Sequence, residues 1–257
     1  MTGWEKAMRE GLGEGFSPVP VQALGQVDST NLRLKEWARA GEIRAPYVLA
    51  ADSQTAGRGR LGRTFVSPPG TGLYMSVLLC PPESTDPGLV TILAAVSVCR
   101  AVEEETGLRL QIKWVNDLFL RGKKVCGILA EKISEGIVLG IGVNILTPPG
   151  GFPEAAGNAG ALDRPVDRFR LSGAIARKVL LGAKNPGDPA VLAYYRARMF
   201  LLGQTISFTE DGLQKSARVT GVSDDGGLVV EGTDGQKVLR TGEVSIGSRQ
   251  VSFSRLE

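Results

Sequence analysis

Three arginines and three glycines crowd into one short segment of the chain, residues 57–63 (GRGRLGR). Glycine allows a tight backbone bend that presents N–H groups to an anion. Arginine adds a permanent positive charge and a planar donor fork that matches phosphate or carboxylate. We therefore predict an ordered anion-binding loop, mobile until ligand charge offsets the repulsion among its arginines. The alternative is a solvated loop that contacts nucleic acid weakly.

A second segment, residues 113–117 (KWVND), places a lysine, an asparagine and an aspartate in an otherwise apolar stretch. Strand alternation would put Lys113 and Val115 on one face and Trp114 on the other. Asn-Asp between two strands is equally typical of a simple turn. Lys124 follows at the start of a buried-looking strand. A lysine in apolar surroundings needs an anionic partner to keep its proton, so Lys124 is a candidate for an anion site.

Two further segments offer contacts to a polar or neutral ligand. Gly140 and Gly142 alternate in a predicted strand, which leaves one face bare for a ligand to lie flat against; a bulge or tight packing is the alternative. Asn144, at the end of that strand, is a candidate polar contact. Residues 29–31 (STN) are typical of a helix N-cap, and they are also a compact set of donors and acceptors for a urea or amide group.

Composition excludes several kinds of chemistry. The 257 residues include no histidine, which removes Ser-His-Asp and Cys-His nucleophiles, histidine-ligated zinc and the usual neutral-pH general base. A net charge of +3 is too mild to indicate a nucleic-acid surface by itself. Cys80, Cys99 and Cys126 are widely spaced and odd in number, which favours a reducing cytoplasm over a disulfide framework. We find no Walker A motif, dinucleotide fingerprint, signal peptide or membrane-spanning stretch.

The elements around these segments predict an α+β fold with an antiparallel or mixed sheet, followed by a small β-barrel. Helices are predicted around 4–12, from 32 to about 41 after a run of N-cap residue types at 27–31, and over 90–106, 169–181 and 189–199. Strands are predicted over 47–51, 72–79, 110–114, 118–120, 124–132 and 136–144. The amino-acid composition changes near Leu202. Residues 203–257 are predicted to form about five short strands, with turns at 210–212, 224–227 and 234–235.

Taken together and in this order, the segments resemble the biotin protein ligase family, whose motifs are GRGRxG, KWPND, K-x-x-G-[IV]-L and GxGxN. The resemblance runs from about Val27 to Asn144, and more weakly over 203–251, which is similar to the family's SH3-like C-terminal barrel. It implies a catalytic domain over 1–201 of the class II aminoacyl-tRNA-synthetase-like, biotin/lipoate ligase type, a mixed sheet with flanking helices. An SH3-like β-barrel over 202–257 would complete the chain.

The resemblance also implies an activity in two steps. Biotin and ATP would give biotinyl-5′-AMP and pyrophosphate, with Mg²⁺ as the metal, and the biotinyl group would then pass to a lysine of the biotin carboxyl carrier domain of a carboxylase. The enzyme would be cytoplasmic, would bind no membrane, and would allow a homodimer through sheet edges. Because only about 25 residues precede the first motif, we expect no DNA-binding domain and no repressor function.

Site residues are carried over motif by motif. The catalytic set would be Lys124, Arg58, Asp117 and Lys113, and Asp117 is the candidate for contact with magnesium. The biotin-binding set would be Ser29, Thr30, Asn31, Gln54, Gly57, Arg58, Gly59, Arg60, Lys124, Gly127, Gly140 and Gly142. The nucleotide-binding set would be Arg58, Arg60, Arg63, Phe65, Lys113, Trp114, Asn116 and Asn144.

The chain departs from the family pattern at a few positions. Val115 replaces the usual proline, which predicts a less kinked strand, and Phe65 stands where an indole is common. The Pro/Gly-rich segment after Asn144 leaves the adenine-covering loop unassigned. Two other functions stay open: a lipoate or octanoate ligase, which usually relies on a motif with a histidine that is absent here, and a non-catalytic nucleic-acid-binding module.

Overall fold

A computed structural model describes residues 1–233, 235–240, 242 and 244–246. The helices are α1 (Gly3–Leu12), α2 (Thr30–Arg39), α3 (Pro87–Thr106), α4 (Arg168–Gly182) and α5 (Pro189–Arg198). The first seven strands are β1 (Val21–Val27), β2 (Tyr47–Gln54), β3 (Gly72–Leu79), β4 (Gln111–Lys113), β5 (Asp117–Leu120), β6 (Lys123–Ile133) and β7 (Gly136–Asn144). The last five are β8 (Thr205–Glu210), β9 (Leu213–Val222), β10 (Leu228–Gly232), β11 (Gly235–Leu239) and β12 (Val244–Ile246).

Strands β1 to β7 form one mixed sheet in the order β1-β2-β3-β7-β6-β5-β4. Only the β1–β2 pair is parallel; the other neighbours are antiparallel. The long hairpin β6–β7 lies near the middle of the sheet and carries the glycine-rich strand segments that the sequence singled out. This arrangement confirms the predicted α+β class with a mixed sheet.

Both faces of this sheet are covered, because successive residues of a strand point to opposite sides. On one face, Val48 and Met75 pack into the main core with α3 and α4. On the other face, Leu49 and Leu78 pack with Leu34 of α2 in a smaller cluster. The main sheet is therefore a central layer between helices, which is why its inner strands are almost continuously apolar.

Local signals explain where the helices begin and end. Asp86 caps α3, Pro87 occupies its first turn, and Gly107 ends it in the left-handed conformation. Helices α1 and α4 cross with their backbones in contact. A β-carbon added at Gly11 would lie 1.9 Å from the carbonyl oxygen of Arg170, and one at Gly173 would lie 2.0 Å from that of Met8. Glycine is what allows this crossing.

Strands β8 to β12 form a separate antiparallel sheet in the order β11-β10-β9-β8-β12. The predicted turn at 210–212 joins β8 to β9 through Asp211 and Gly212, both with positive φ. Part of the predicted barrel, namely residues 234, 241, 243 and 247–257, lies outside the described residues. Within the described part of the chain, no helix is long and apolar enough to cross a membrane.

Two expectations about the elements were wrong. Strand β1 was not predicted, because it is an edge strand whose residues are mostly half-exposed or exposed and which contains Gly25. The predicted strand alternation through Val115 does not exist either, because residues 114–116 form the turn that joins β4 to β5. Valine in place of the family's proline therefore does not straighten the chain there, and the Trp114–Val115 peptide is cis.

Candidate active site

A cavity of about 660 Å³ opens above the β6–β7 hairpin and gathers most of the predicted site residues. Its walls come from the 57–65 loop, the start of α2, the turn before β5 and a segment over 152–159. The predicted residues that line it are Ser29, Thr30, Asn31, Gln54, Arg58, Gly59, Arg60, Arg63, Phe65, Asn116, Asp117, Lys124, Gly127, Gly140, Gly142 and Asn144. Residues far apart in the chain therefore meet at one place.

Three of the predicted residues lie elsewhere. The indole of Trp114 is 5% exposed and donates a hydrogen bond from Nε1 to the carbonyl oxygen of Gly226 at 2.9 Å, so it contacts the second sheet instead of the cavity. Lys113 ends β4, opposite Asp117 in the hairpin register, and is not part of the lining. Gly57 is buried behind the loop, where a β-carbon would lie 2.3 Å from the carbonyl oxygen of Phe65.

The 57–65 loop is folded as a narrow hairpin. The amide of Phe65 donates to the carbonyl of Gly57 at 2.9 Å, and the amide of Gly59 donates to the carbonyl of Arg63 at 2.7 Å. At the tip, Leu61 and Gly62 both have positive φ, and Leu61 is exposed. This geometry is the ordered turn that the sequence predicted; its mobility without ligand stays a prediction.

Two arginines of this loop differ in their surroundings. Arg60 donates to Asn116 Oδ1 at 3.0 Å and to the carbonyl oxygen of Gly242 at 3.3 Å, so it joins the loop to the turn before β5 and to the second sheet. Arg58 is exposed at the cavity wall, and its positive charge helps to lower the pKa of Glu131. Arg60 is therefore held by the protein, while Arg58 is presented to the cavity.

Lys124 has the anionic partner that its position requires. Its Nζ lies 2.7 Å from Oδ1 of Asp117, and the two side chains are 35% and 21% exposed. That oxygen is buried, and the ammonium group of Lys124 balances its charge. The β5–β6 hairpin brings them together, because Asp117 begins β5 and lies opposite Gly127 on β6.

A cluster of buried polar groups lies at the start of α2. Ser29 is the N-cap of this helix, as predicted, and its Oγ accepts from the amide of Leu32. The amide of Thr30 donates to Gln54 Oε1 at 2.9 Å, while Gln54 Nε2 donates to Ser67 Oγ at 2.9 Å. The helix cap and the pocket lining are thus the same residues, so the two interpretations of this segment do not exclude each other.

Asn31 lies deeper in this polar cluster and is held on both ends of its amide. Its Nδ2 donates to Glu131 Oε2 at 2.8 Å, and its Oδ1 accepts from Ser76 Oγ at 2.6 Å. Lys35 completes the group, 2.7 Å from the other oxygen of Glu131. Burial alone would raise the pKa of Glu131, but hydrogen bonds from Lys35 and Asn31, with the charges of Lys35 and Arg58, outweigh it, so this pKa is lowered.

The bare strand face predicted at β7 exists, but protein side chains already rest on it. A β-carbon at Gly140 would lie 2.3 Å from Asn31 Oδ1, and one at Gly142 would lie 2.5 Å from the ring of Phe65. Gly127, which pairs with Gly142 across the hairpin, also faces this ring, at 3.2 Å. The glycines therefore let the loop and α2 approach the sheet closely and bound the cavity.

The segment over 152–159 is the part of the site that sequence reasoning missed. Its end is paired with β6: the amide of Lys124 donates to the carbonyl of Asn158, and the amide of Gly160 donates to the carbonyl of Lys124, both at 2.9 Å. Asn144 Nδ2 also donates to the carbonyl of Gly160 at 2.9 Å. The segment has no periodic pattern, and its Pro/Gly content predicted only a loop, so no sequence signal marked this pairing.

Comparisons with known proteins agree with this geometry. Residues 24–147 match the family model described as "Biotin/lipoate A/B protein ligase family", and residues 201–247 match "Biotin protein ligase C terminal domain". The biotin--[acetyl-CoA-carboxylase] ligase of Mycobacterium tuberculosis is 30% identical over 251 residues, which are 91% of this chain and 92% of the relative. The bifunctional ligase/repressor BirA of Bacillus subtilis is 32% identical over 218 residues, which span 78% of this chain but only 66% of its own length.

A solved structure supports the same relationship. The biotin protein ligase of Aquifex aeolicus, solved in complex with biotin and ATP, superimposes with a TM-score of 0.75 at 31% identity, covering 88% of this chain and 97% of that one. The fold and the site thus define a protein of the biotin and lipoate ligase class. Within this class, the chain belongs to the biotin protein ligase family.

Proposed function

We propose that this chain is an ATP-dependent biotin protein ligase that forms biotinyl-5′-AMP and then biotinylates a carrier protein. One observation carries the proposal: a single cavity joins a buried polar pocket to a group of cations. Gly140, Gly142 and Asn144 lie on one face of β7 and line this cavity, with Asn31 and the ring of Phe65 packed over part of that face. At ~3.3 Å per residue the three residues span about 13 Å of the cavity wall. A cavity of this length suits an extended acid with a polar head and a carboxylate tail.

The first chemical step needs two anions in one place. A carboxylate oxygen attacks the α-phosphorus of ATP, an O–P bond forms, and the P–O bond to pyrophosphate breaks. Arg58 and Lys124 line the cavity and would offset the repulsion between the carboxylate and the phosphate and stabilise charge that develops in the transition state. The step requires no enzyme nucleophile, so a chain without histidine has what it needs.

In the second step, the amine of a carrier lysine attacks the biotinyl carbonyl carbon and AMP leaves. The amine must lose a proton during this transfer. Asp117 lines the cavity, and its carboxylate would take up this proton. The same proposal puts the urea ring of biotin against Ser29, Thr30, Asn31 and Gln54, and the nucleotide near Arg63, Phe65, Asn116 and Asn144.

Magnesium fits this site as an ion that binds together with the phosphates of ATP. Within the described residues, no cluster of three or more carboxylate or thiol side chains could hold a metal ion. Mg²⁺ commonly binds through one or two carboxylates together with substrate phosphates, and Asp117 supplies one carboxylate in the cavity lining. When bound, the ion would neutralise phosphate charge and help pyrophosphate to leave.

Partners, organisation and location are further parts of the proposal. The acceptor would be the biotin carboxyl carrier domain of a carboxylase, as the names of the Mycobacterium and Paracoccus relatives suggest.

A catalytic domain over 1–201 and a C-terminal domain over 202–257 agree with the two separate sheets. A reducing cytoplasm suits the cysteines Cys80, Cys99 and Cys126, which are all free thiols. A homodimer would form through sheet edges, and no DNA partner is proposed.

ATP–pyrophosphate exchange tests the first step directly. We expect exchange that depends on biotin and that lipoate does not support. Exchange with lipoate and none with biotin would overturn the assignment in favour of a lipoate ligase. Binding to DNA with a steep salt dependence, in a protein that exchanges no pyrophosphate, would instead support the nucleic-acid-binding alternative.

A further inference from the structure

Glu131 and Lys35 form a partly buried ion pair beside the cavity, and neither residue is part of the cavity lining. Lys35 lies one helical turn after Asn31 on α2, so the two side chains share a face of the helix. The side chain of Lys35 is only 11% exposed, and its Nζ is 2.7 Å from Glu131 Oε1. Burying an ammonium group without a partner costs free energy, so the ion pair between Lys35 and Glu131 is retained. Lys35 therefore fixes the position of the Glu131 carboxylate.

The second oxygen of Glu131 contacts Asn31, whose side chain belongs to a residue that lines the cavity. Asn31 Nδ2 donates to it at 2.8 Å and also lies 3.4 Å from the carbonyl oxygen of Leu129. An ionised carboxylate only accepts hydrogen bonds, so it must meet the NH₂ side of the amide. The carbonyl side of Asn31 is then turned toward Ser76. A carboxylate that is itself fixed by Lys35 thus decides which way this amide points.

The orientation of the Asn31 amide determines the direction of the hydrogen bonds made by two hydroxyl groups. Ser76 is fully buried, and its Oγ lies 2.6 Å from Asn31 Oδ1 and 2.7 Å from Thr30 Oγ1. Because Asn31 Oδ1 cannot donate, the Ser76 proton lies toward Asn31. Thr30 has two acceptors for its own proton, Ser76 and Gln54 Oε1, the latter at 3.2 Å. The Thr30 oxygen therefore faces the cavity as a hydrogen-bond acceptor.

We infer that Glu131 and Lys35 are positioning residues that set the direction of the hydrogen bonds from Asn31 through Ser76 to Thr30, so that the pocket accepts N–H groups of a cyclic urea. The inference rests on the proposed function, which supplies the urea. It extends that function to two residues outside the cavity lining. It also predicts that the pocket discriminates by N–H donors, since a head group without them would leave the Thr30 oxygen unpaired.

The test measures KM for biotin and for ATP separately, in ATP–pyrophosphate exchange. We expect Glu131→Ala to raise KM for biotin by about 10-fold or more, with KM for ATP and kcat changed by less than about threefold. Glu131→Gln keeps an acceptor for Asn31 and should recover most of the loss. Ser76→Ala should raise the same KM, and the double variant should be no worse than the poorer single variant, since both changes interrupt one chain of hydrogen bonds.

Glu103→Ala is the matched control. Glu103 pairs with Arg198 at 2.6 Å, and these side chains are 30% and 13% exposed, against 29% and 11% for Glu131 and Lys35. We expect this control to lower the melting temperature without raising KM for biotin. If Glu131→Ala does not fold, the KM for biotin of Glu131→Gln and Ser76→Ala tests the inference instead. A wild type without biotin-dependent exchange overturns the proposed function, whereas an active wild type with unchanged KM in these variants overturns only this inference.

Discussion

The charge of Lys124 is balanced before any ligand arrives. Its partner Asp117 is 2.7 Å away and belongs to the neighbouring strand of the same hairpin. A phosphate or carboxylate that enters the cavity competes with Asp117 for the ammonium group. A ligand that binds Lys124 must therefore weaken this ion pair, so Asp117 would lose its partner when the ligand binds.

The first prediction concerns this lysine. We expect Lys124→Ala to lower biotin-dependent pyrophosphate exchange by about 100- to 1,000-fold, because one preorganised cation next to the reacting anions is lost. The fold should persist, since the side chain is 35% exposed. Lys123→Ala is the control, an exposed lysine one position earlier that should leave activity unchanged. Activity of Lys124→Ala within about threefold of wild type would refute the role given to this residue.

Sequence alone predicted side chains whose chemistry is local and missed those whose role depends on a distant partner. Arginine and glycine alternation in the 57–63 segment indicates an anion loop whatever surrounds it. Trp114 looked equally suited to the site, but its partner, Gly226, is 112 residues away. Glu131 and Lys35 carried no motif and stand out only when the fold brings them together.

At the scale of elements, the cavity is closed by segments without regular secondary structure. The hairpin over 57–65 forms one wall, and the segment over 152–159 forms another. Two backbone hydrogen bonds to Lys124 tie the second segment to β6, whereas the tip of the first is exposed. We therefore expect the 57–65 hairpin to respond more strongly to ligands.

Limited digestion with trypsin tests this difference, because the hairpin contains three arginines. We expect cleavage after Arg58, Arg60 or Arg63 in the free protein and protection with biotin plus ATP, since ligand charge offsets the repulsion among them. Cleavage after the exposed Arg44, in the loop between α2 and β2, is the internal reference and should not change. Equal protection at both places, or none in the hairpin, would contradict an ordering of this loop by ligand.

Most elements were predictable because they are long and periodic. Strand β3 is apolar along nearly its whole length and helix α3 through most of its first four turns, and their limits agree with the prediction to within three residues. The exceptions have physical causes. Strand β1 is half-exposed at the edge of the sheet, and the pairing of residues 158–160 with β6 depends on tertiary contacts that leave no local pattern.

In the whole molecule, the second sheet is connected to the candidate active-site cavity through the turn at 114–116. Each residue of the turn is bound by a different part of the protein: Trp114 by Gly226, the carbonyl of Val115 by the hydroxyl of Tyr195, and Asn116 by Arg60. Asp117 follows directly. The second sheet therefore helps to place Asp117 through this turn, which the division of the sequence into two domains could not reveal.

Trp114→Phe tests this connection. The variant keeps an aromatic ring but leaves the Gly226 carbonyl without its donor, so we expect the free energy of unfolding to fall by about 1–3 kcal/mol. Pyrophosphate exchange should fall too, because the turn that carries Asp117 loosens. The control is Trp4→Phe, which keeps the stacking on Phe169 and should cost less than about 0.5 kcal/mol. Urea unfolding measures the free energy of unfolding of both variants. Equal losses of this free energy would argue against a special role of the contact between Trp114 and Gly226.

The crossing of α1 and α4 affects how conserved glycines in an alignment of this family should be interpreted. Gly11 and Gly173 lie outside the cavity lining, yet a β-carbon at either position would collide with backbone of the other helix. Natural selection should therefore retain glycine at these two positions as firmly as at Gly140 and Gly142. Invariance in an alignment would not distinguish the two pairs. A substitution here would be expected to reduce the amount of folded protein and leave the KM of the remaining molecules unchanged.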